Sequence, residues 1–475
     1  MTAPQPSPAA VAPNASLRLK SQCLSYVEVL AQSVSVIAPS TVPAAVLGLI
    51  FASAGNGTWL SFLIGMMGLV LVSWNINQFA RRSASAGSLY RFIVKGLGGV
   101  AGVIGGWALL FGYMLTGMST LCGFVVIARG LLEAAGLTLP SIVLFAAATL
   151  ASIYVASRDV KLSAKAMLAF EGAAIAGVLA LGVAVWRHQH FAFDRAQFTL
   201  QGTTPGGVLT GVVLVVFAFS GFESSTALGE EAKDPLHSIP KSVVQSVIVS
   251  GLIFIFMAYV VILGFRALGA DLGKAESPLL LLSTRLNLAW LGAFINLGIL
   301  ISFFSCTLAS INATARIVYS MARHDVAPRV LGVVHSRNKT PSVAIAFAGG
   351  LTFAAAVAPT FFGVSEFDAQ GYFGTLCSFG FLSVYLLISL AAPIYLHKIG
   401  ALTATSIVVA FLGASFTVVP FLGVIGVPGS TLFPPPDFPN NILVWIYLAY
   451  MFLGGAWLLT LRRSKPSTIE EVFED

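Results

Sequence analysis

Long apolar stretches follow one another from residue 29 to residue 461, with only short connections between them. A helix needs roughly 20 mostly apolar residues to cross a hydrocarbon core. About twelve segments qualify: 29–53, 59–80, 99–127, 140–157, 166–186, 206–229, 242–265, 287–321, 342–360, 371–396, 402–427 and 441–461. Charged residues make up 9% of the 475-residue chain and hydrophobic ones 57%. That is too little charge to cover a soluble surface of this size. The predicted fold is an all-α integral membrane protein, with no soluble domain between the spans.

The formal net charge of +7 could point to nucleic acid, but its placement points to topology instead. About twenty of the 26 Lys and Arg fall in alternate loops and the two tails. The dense groups are Arg81, Arg82, Arg91 and Lys95; Arg158, Lys161 and Lys165; Arg316, Arg323, Arg329, Arg337 and Lys339; and Arg462, Arg463 and Lys465. This bias puts those loops and both termini in the cytoplasm, which requires an even number of crossings. Residues 1–17, rich in Pro, Ala and Ser, read as a disordered leader within a cytoplasmic tail over 1–24. Cys23, Cys122, Cys306 and Cys377 lie far apart, show no metal-ligand spacing and read as small packing residues.

Two spans are interrupted in the middle, one by "IAPSTVPA" (37–44) and one by "FSGFESS" (219–225). Each opens a group of five spans, and in each group the third span is the longest. An odd number of spans inverts the second copy in the membrane, and breaks at matching positions point to a midplane binding site. The expected units are a first repeat over 25–190, a second over 200–398, two further spans over 399–461 and a cytoplasmic tail over 462–475.

The breaks carry complementary chemistry. After the first, the outer half-helix is expected to begin near Thr41–Ala44, with Pro43 in its first turn, where no N–H is needed. Its free N–H groups and positive dipole end suit a carboxylate, and Ser40 and Thr41 add hydroxyls. Before the second, the last carbonyls near Phe217–Ser220 suit an ammonium group. Together they match the backbone of an amino acid. Glu223 sits where the inner half of the sixth span begins, and is read either as a group that changes protonation or as a helix cap. Glu171, the other carboxylate inside a span, pairs with a polar group, carries a proton or faces a water-filled crevice. Phe217, Phe219 and Phe222 surround the second break as packing or as a lid, and Tyr113 in the long third span needs a partner for its hydroxyl.

Three stretches carry a family likeness. "FAFSGFESSTALGEEAKDPLHSIPKSV" (217–243) resembles the sixth-helix signature of the amino acid–polyamine–organocation superfamily. "SAGSLYRFIVKGLGGVAGVIGGWALLFGYML" (85–115) resembles its loop and third helix. "NATARIVYSMARHDVAPRVLGVVHSRNKTPSVA" (312–344) resembles its eighth helix and the loop after it. The resemblance implies a LeuT-like five-plus-five inverted repeat with broken helices 1 and 6 and two extra C-terminal helices, in the cell membrane. It implies substrate contacts at Ala38, Pro39, Ser40 and Thr41, at Phe217, Ala218, Ser220, Gly221 and Phe222, and at Ser310; Tyr113 is expected to line the pocket from its place in the long third span, independently of the resemblance. Phe217 would be the aromatic gate and Glu223 the acid of the sixth-helix motif. Family members that use protons often carry a Lys in the fifth helix; the equivalent here is Ala174, with Glu171 one turn earlier, which leaves H+ and Na+ both open. The outer connection 128–139 has no Cys, so by the same resemblance no disulfide-linked heavy subunit is expected.

The leading function is secondary active transport of an amino acid, without a cofactor. An exchanger or a polyamine transporter of the same fold is the alternative, and a transporter-like sensor is a more distant one. A channel would need a ring of filter residues. An enzyme would need a nucleophile with a base, or metal ligands, whereas all six His lie in loops or at span ends. The substrate is expected to be small or medium and neutral, because no Arg or Lys lies near either break. Reporter fusions after residue 193 and after residue 235 should read outside and inside respectively; the reverse pattern would overturn the orientation.

Overall fold

The computed structural model describes residues 19–83, 87–275 and 277–464. The leader over 1–17 and the tail beyond 464 lie outside the described residues. The described chain is helical, with one isolated bridge, Leu24 to Ala232. Its first half runs α1 (Tyr26–Ile37), α2 (Val42–Ala45), α3 (Leu47–Ala54), α4 (Thr58–Ala80), α5 (Ser88–Leu97), α6 (Gly99–Ala134), α7 (Ser141–Arg158) and α8 (Val160–His188). After a short α9 (Arg195–Phe198), the second half runs α10 (Pro205–Ala218), a 3₁₀ turn (Ser224–Leu228), α11 (Pro235–Leu268), α12 (Pro278–Arg285), α13 (Ala289–Arg323), α14 (Ser342–Phe361) and α15 (Glu366–Lys398). The chain ends with α16 (Ala404–Ile425) and α17 (Asn440–Ser464).

The two halves share one order: an interrupted helix, a long helix, a short helix, the longest helix, then two more. The longest are α6 with 36 residues and α13 with 35. Among the described residues, ten helices are long and apolar enough to cross a membrane. α1 and α10, the leading pieces of the two interrupted segments, are 12 and 14 residues long and fall short of that length. The short helices α5 and α12 are additions to the expected layout. Their 10 and 8 residues fall below the span length that a hydropathy reading detects.

One end of the molecule is stitched shut. The N–H groups of Cys23 and Leu24 donate to the Glu231 carbonyl at 2.8 and 2.9 Å, and Lys233 N–H donates to the Leu24 carbonyl at 2.9 Å. Residues 19–24, read as part of a tail, are therefore hydrogen-bonded structure, with Leu19, Cys23 and Leu24 buried. Glu28 then starts α1 by accepting the Ser25 N–H at 2.8 Å. Lys20 reaches Asp159 at 2.7 Å, and Asp159 also caps α8 through the Lys161 N–H. Trp457 near the end of α17 donates to the Val326 carbonyl, so both described ends of the chain lie on this face.

Beneath the stitching, Arg316 grips Glu231 bidentately, Nε to Oε2 at 2.6 Å and Nη2 to Oε1 at 2.8 Å, with both side chains buried. Arg316, counted above among the loop cations, lies inside α13. A buried pair is worth little over an apolar pair of similar size, but removing one partner strands the other charge. Arg316→Met should therefore cost about 3–5 kcal/mol of stability, and Arg316→Met with Glu231→Leu should recover most of it. Thermal melts of the purified protein check this; equal melts for the wild type and the single variant would contradict it.

Candidate functional site

The first interruption is built from a left-handed residue and a proline. α1 ends at Ala38, with φ 50° and ψ 62°, and Pro39 follows. Thr41 closes the gap by donating its N–H and hydroxyl to the Ala38 carbonyl at 3.0 and 2.8 Å. The outer half restarts as the single turn α2, with Pro43 in its first turn. Ser40, expected to donate to a substrate, donates its N–H (3.3 Å) and hydroxyl (3.1 Å) to Glu171 Oε1. Glu171 Oε2 accepts the Ser302 hydroxyl of α13 at 2.6 Å. Glu171 is thus paired with polar groups, and it joins α8, α13 and the first break.

The second interruption turns on Gly221, with φ 87°. A Cβ there would collide with Val36 of α1, so only glycine lets the two breaks touch in this conformation. The Gly221 N–H donates to the Tyr385 hydroxyl at 3.2 Å. The inner half of the sixth span is a five-residue 3₁₀ turn, not the regular helix expected. Glu223 precedes it without a side-chain capping bond, which removes the helix-cap reading. Its two oxygens accept the hydroxyls of Tyr113 and Tyr385, both at 2.7 Å, and all three side chains are fully buried. Tyr113 thus finds its partner in Glu223.

The interior serves the remaining backbone groups near the breaks. Cys306 donates to the Val36 carbonyl at 3.1 Å and Gln32 to the Ala309 carbonyl at 2.9 Å. The Ser225 N–H is taken by Ser33 at 3.0 Å and the Phe222 carbonyl by Ser246 at 3.0 Å. These bonds hold α1 between α13 and the 3₁₀ turn.

A cavity of about 80 Å³ lies where the two interruptions meet. Of the expected contacts, Ala38, Thr41, Phe217, Ala218 and Ser220 are on its wall. Pro39, Ser40, Tyr113, Gly221, Phe222 and Ser310 are not on the wall: Phe222 packs on Tyr385 at 5.1 Å between ring centroids, and Ser310 faces Gly117 of α6. Phe219 is buried against Phe254 at 5.0 Å, which leaves Phe217 as the one phenylalanine of the three on the cavity. Its ring lies against Gly374 of α15, where a Cβ would stand 2.7 Å from the ring tip.

The rest of the wall was not foreseen. Besides Val36, Ile37, Val42, Ala45 and Val46 around the first break, it comes from Thr116, Ser119 and Thr120 of α6, Phe303 and Cys306 of α13, and Gln370 and Cys377 of α15. No residue on the wall carries a charge. The α6 hydroxyls are engaged with protein acceptors, Thr116 with Gly112, Ser119 with Gln370, and Thr120 with the Thr116 carbonyl. The surface they offer is therefore largely methyl and methylene. Tyr385 also went unforeseen, although the reasoning that gave Tyr113 a partner applies to any tyrosine at mid-span.

Tyr385→Phe keeps the ring packing and removes one of the two donors to Glu223. It should cost about 1–2 kcal/mol in melts of the purified protein. Tyr113→Phe with Tyr385→Phe should cost more than the sum of the singles, because the carboxylate then keeps neither donor. Unchanged melts would show that the tyrosines do not hold Glu223.

The sequence and the fold both have relatives among known proteins. The chain is 24% identical over 359 residues to the branched-chain amino acid permease BcaP of Bacillus subtilis, covering 71% of this chain and 74% of that one. It is 25% identical over 336 residues to the low-affinity putrescine importer PlaP of Escherichia coli K12, covering 68% and 71%. Among solved structures, a Na+-coupled sialic acid symporter in a substrate-bound outward-open state matches with a TM-score of 0.52 at 13% identity, covering 82% of this chain and 88% of that one. This likeness carries the LeuT-like fold. The profile of the amino acid permease family matches residues 31–463, and the chain belongs to that family.

Proposed function

We propose that the protein is a secondary transporter for small neutral amino acids with aliphatic side chains, working by alternating access through twelve crossings with both termini in the cytoplasm. The observation that carries this reading is the uncharged cavity at the meeting point of the two breaks. Backbone groups of the interruptions are suited to the substrate's carboxylate and ammonium. The uncharged, largely apolar wall of α6, α13 and α15 suits an aliphatic side chain, and the small volume limits its size. Phe217, seated on Gly374, is the lid over the substrate.

A polyamine is the second reading, favoured by the kinship with a putrescine importer. It needs acceptors for two ammonium groups. Both carboxylates near the site are engaged, Glu171 by Ser40 and Ser302 and Glu223 by Tyr113 and Tyr385, so an amino acid is the better fit.

The proton is the proposed coupling ion and Glu171 its carrier. A proton on Glu171 replaces an acceptor by a donor, which loosens its hold on the Ser40 N–H and frees that group for the substrate carboxylate. Glu223 positions the second break through its two tyrosines. Reconstituted protein should take up alanine or valine saturably, faster with an acidic exterior, and should not take up glutamate or arginine. Glu171→Gln should insert normally and lose most of the pH dependence, while Glu223→Gln should keep the profile at reduced rate. Saturable glutamate uptake would refute the substrate class. A flat profile in Glu223→Gln alone would move the coupling to Glu223, and an unchanged profile in both variants would remove proton coupling.

A further inference from the structure

A second cavity, away from the transport site, has a different character. This cleft of about 400 Å³ lies between α6, α13, α14 and α17, walled by residues such as Trp107, Met114, Met321, Leu351 and Trp457. The polar atoms of its aromatic residues are turned into the protein. Trp107 Nε1 donates to the Tyr450 carbonyl at 2.9 Å, the Tyr450 hydroxyl to the Trp107 carbonyl at 3.1 Å, and Trp457 Nε1 to the Val326 carbonyl at 3.0 Å. What remains facing the cleft is hydrocarbon and ring faces, which can hold an acyl chain and cannot hydrogen-bond a polar ligand.

The position of the cleft selects its occupant further. Trp107 is about 12 Å and Met114 about 22 Å along α6 from its start, and the end of α17 and the 323–331 connection border the same space. The cleft therefore sits in the leaflet on the face that holds both described chain ends. Its outer edge is basic. Arg323 ends α13 just before Val326, and Arg462 and Arg463 stand about 7–9 Å beyond Trp457 on α17. All three are exposed and form no ion pair among the described residues. Arg329 is also at this edge, paired with Asp325 at 2.5 Å, the one acid there. A hydrocarbon cleft that ends in arginines at a membrane surface is complementary to a lipid with an anionic headgroup.

We propose that this cleft binds an anionic diacyl phospholipid, one acyl chain between α6 and α17 and the phosphate against Arg323, Arg462 and Arg463. The acidic C-terminal segment "IEEVFED" (469–475) is a poor occupant, because four carboxylates would have to enter the hydrocarbon layer. It can compete for the arginines only from the aqueous side.

The test uses the full-length protein in a neutral detergent, titrated with dioleoylphosphatidylglycerol or dioleoylphosphatidylcholine and read by native mass spectrometry. The wild type should retain one phosphatidylglycerol and no comparable phosphatidylcholine. Arg323→Gln/Arg462→Gln/Arg463→Gln should lower phosphatidylglycerol retention about tenfold, to the phosphatidylcholine level. Ala327→Leu, which narrows the cleft from an exposed connection, should weaken binding with the arginines intact. Arg187→Gln/Arg195→Gln, on the other face, should leave it unchanged. Glycerol 3-phosphate should not displace the lipid. Equal retention of the two lipids, full retention by the triple variant, or displacement by glycerol 3-phosphate would overturn the proposal. Stronger binding after removal of residues 466–475 would identify the tail as a competitor for the same arginines and support the site, while abolished binding would overturn it.

Discussion

Peptide groups freed by a broken helix inside a membrane have no water to turn to, so their partners must come from the protein. The centre of this molecule is organised by that requirement. Ser40 gives its N–H to Glu171, Gly221 gives its N–H to Tyr385, and Cys306, Ser33 and Ser246 take up groups on either side. The donors and acceptors come from α1, α8, α11, α13 and α15. Each interruption is therefore also a junction between helices, and the two carboxylates buried in the bilayer are the hubs of those junctions. A charge-bearing residue at that depth is costly; here the cost is offset by hydroxyls, two for each carboxylate.

The same arrangement explains how a site forms. Val36 and Gly221 touch because Gly221 has no side chain, which brings the two interruptions together and leaves a cavity beside them. The wall opposite the breaks comes from the longest helix of each half, α6 and α13, and from α15. On one face, Arg316 and Glu231 under the Cys23–Leu24 stitching close the molecule. A buried ion pair and three backbone bonds hold that face together.

Much of this was readable from the chain. The apolar runs, the matching order of the two halves, Pro39 and Pro43 at the first break, and Gly221 with Glu223 at the second all carry local signals, because chain breaks and buried charges are written in single residues. Five of the eleven expected contacts reach the cavity, and the other six do not line it. What was not readable depends on distant pairings: Tyr385 meets Glu223 across 162 positions, and Arg316 meets Glu231 across 85. Nothing local in α13 marks Ser302 as a partner for Glu171. The direction in which Ser40 donates was equally hidden, since a free N–H and one claimed by a carboxylate look alike in sequence.

In the proposed function, the cavity at the breaks recognises both ends of an amino acid backbone. The most direct measurement compares thermal stabilisation of the purified protein by valine, by isobutylamine and by isovalerate at equal concentration, because a ligand that binds the folded state raises the melting temperature, more so the tighter it binds. The account predicts a clear shift with valine and none with the amine or the acid alone. A shift with isobutylamine, or with putrescine, as large as that with valine would contradict it and make the protein an amine transporter.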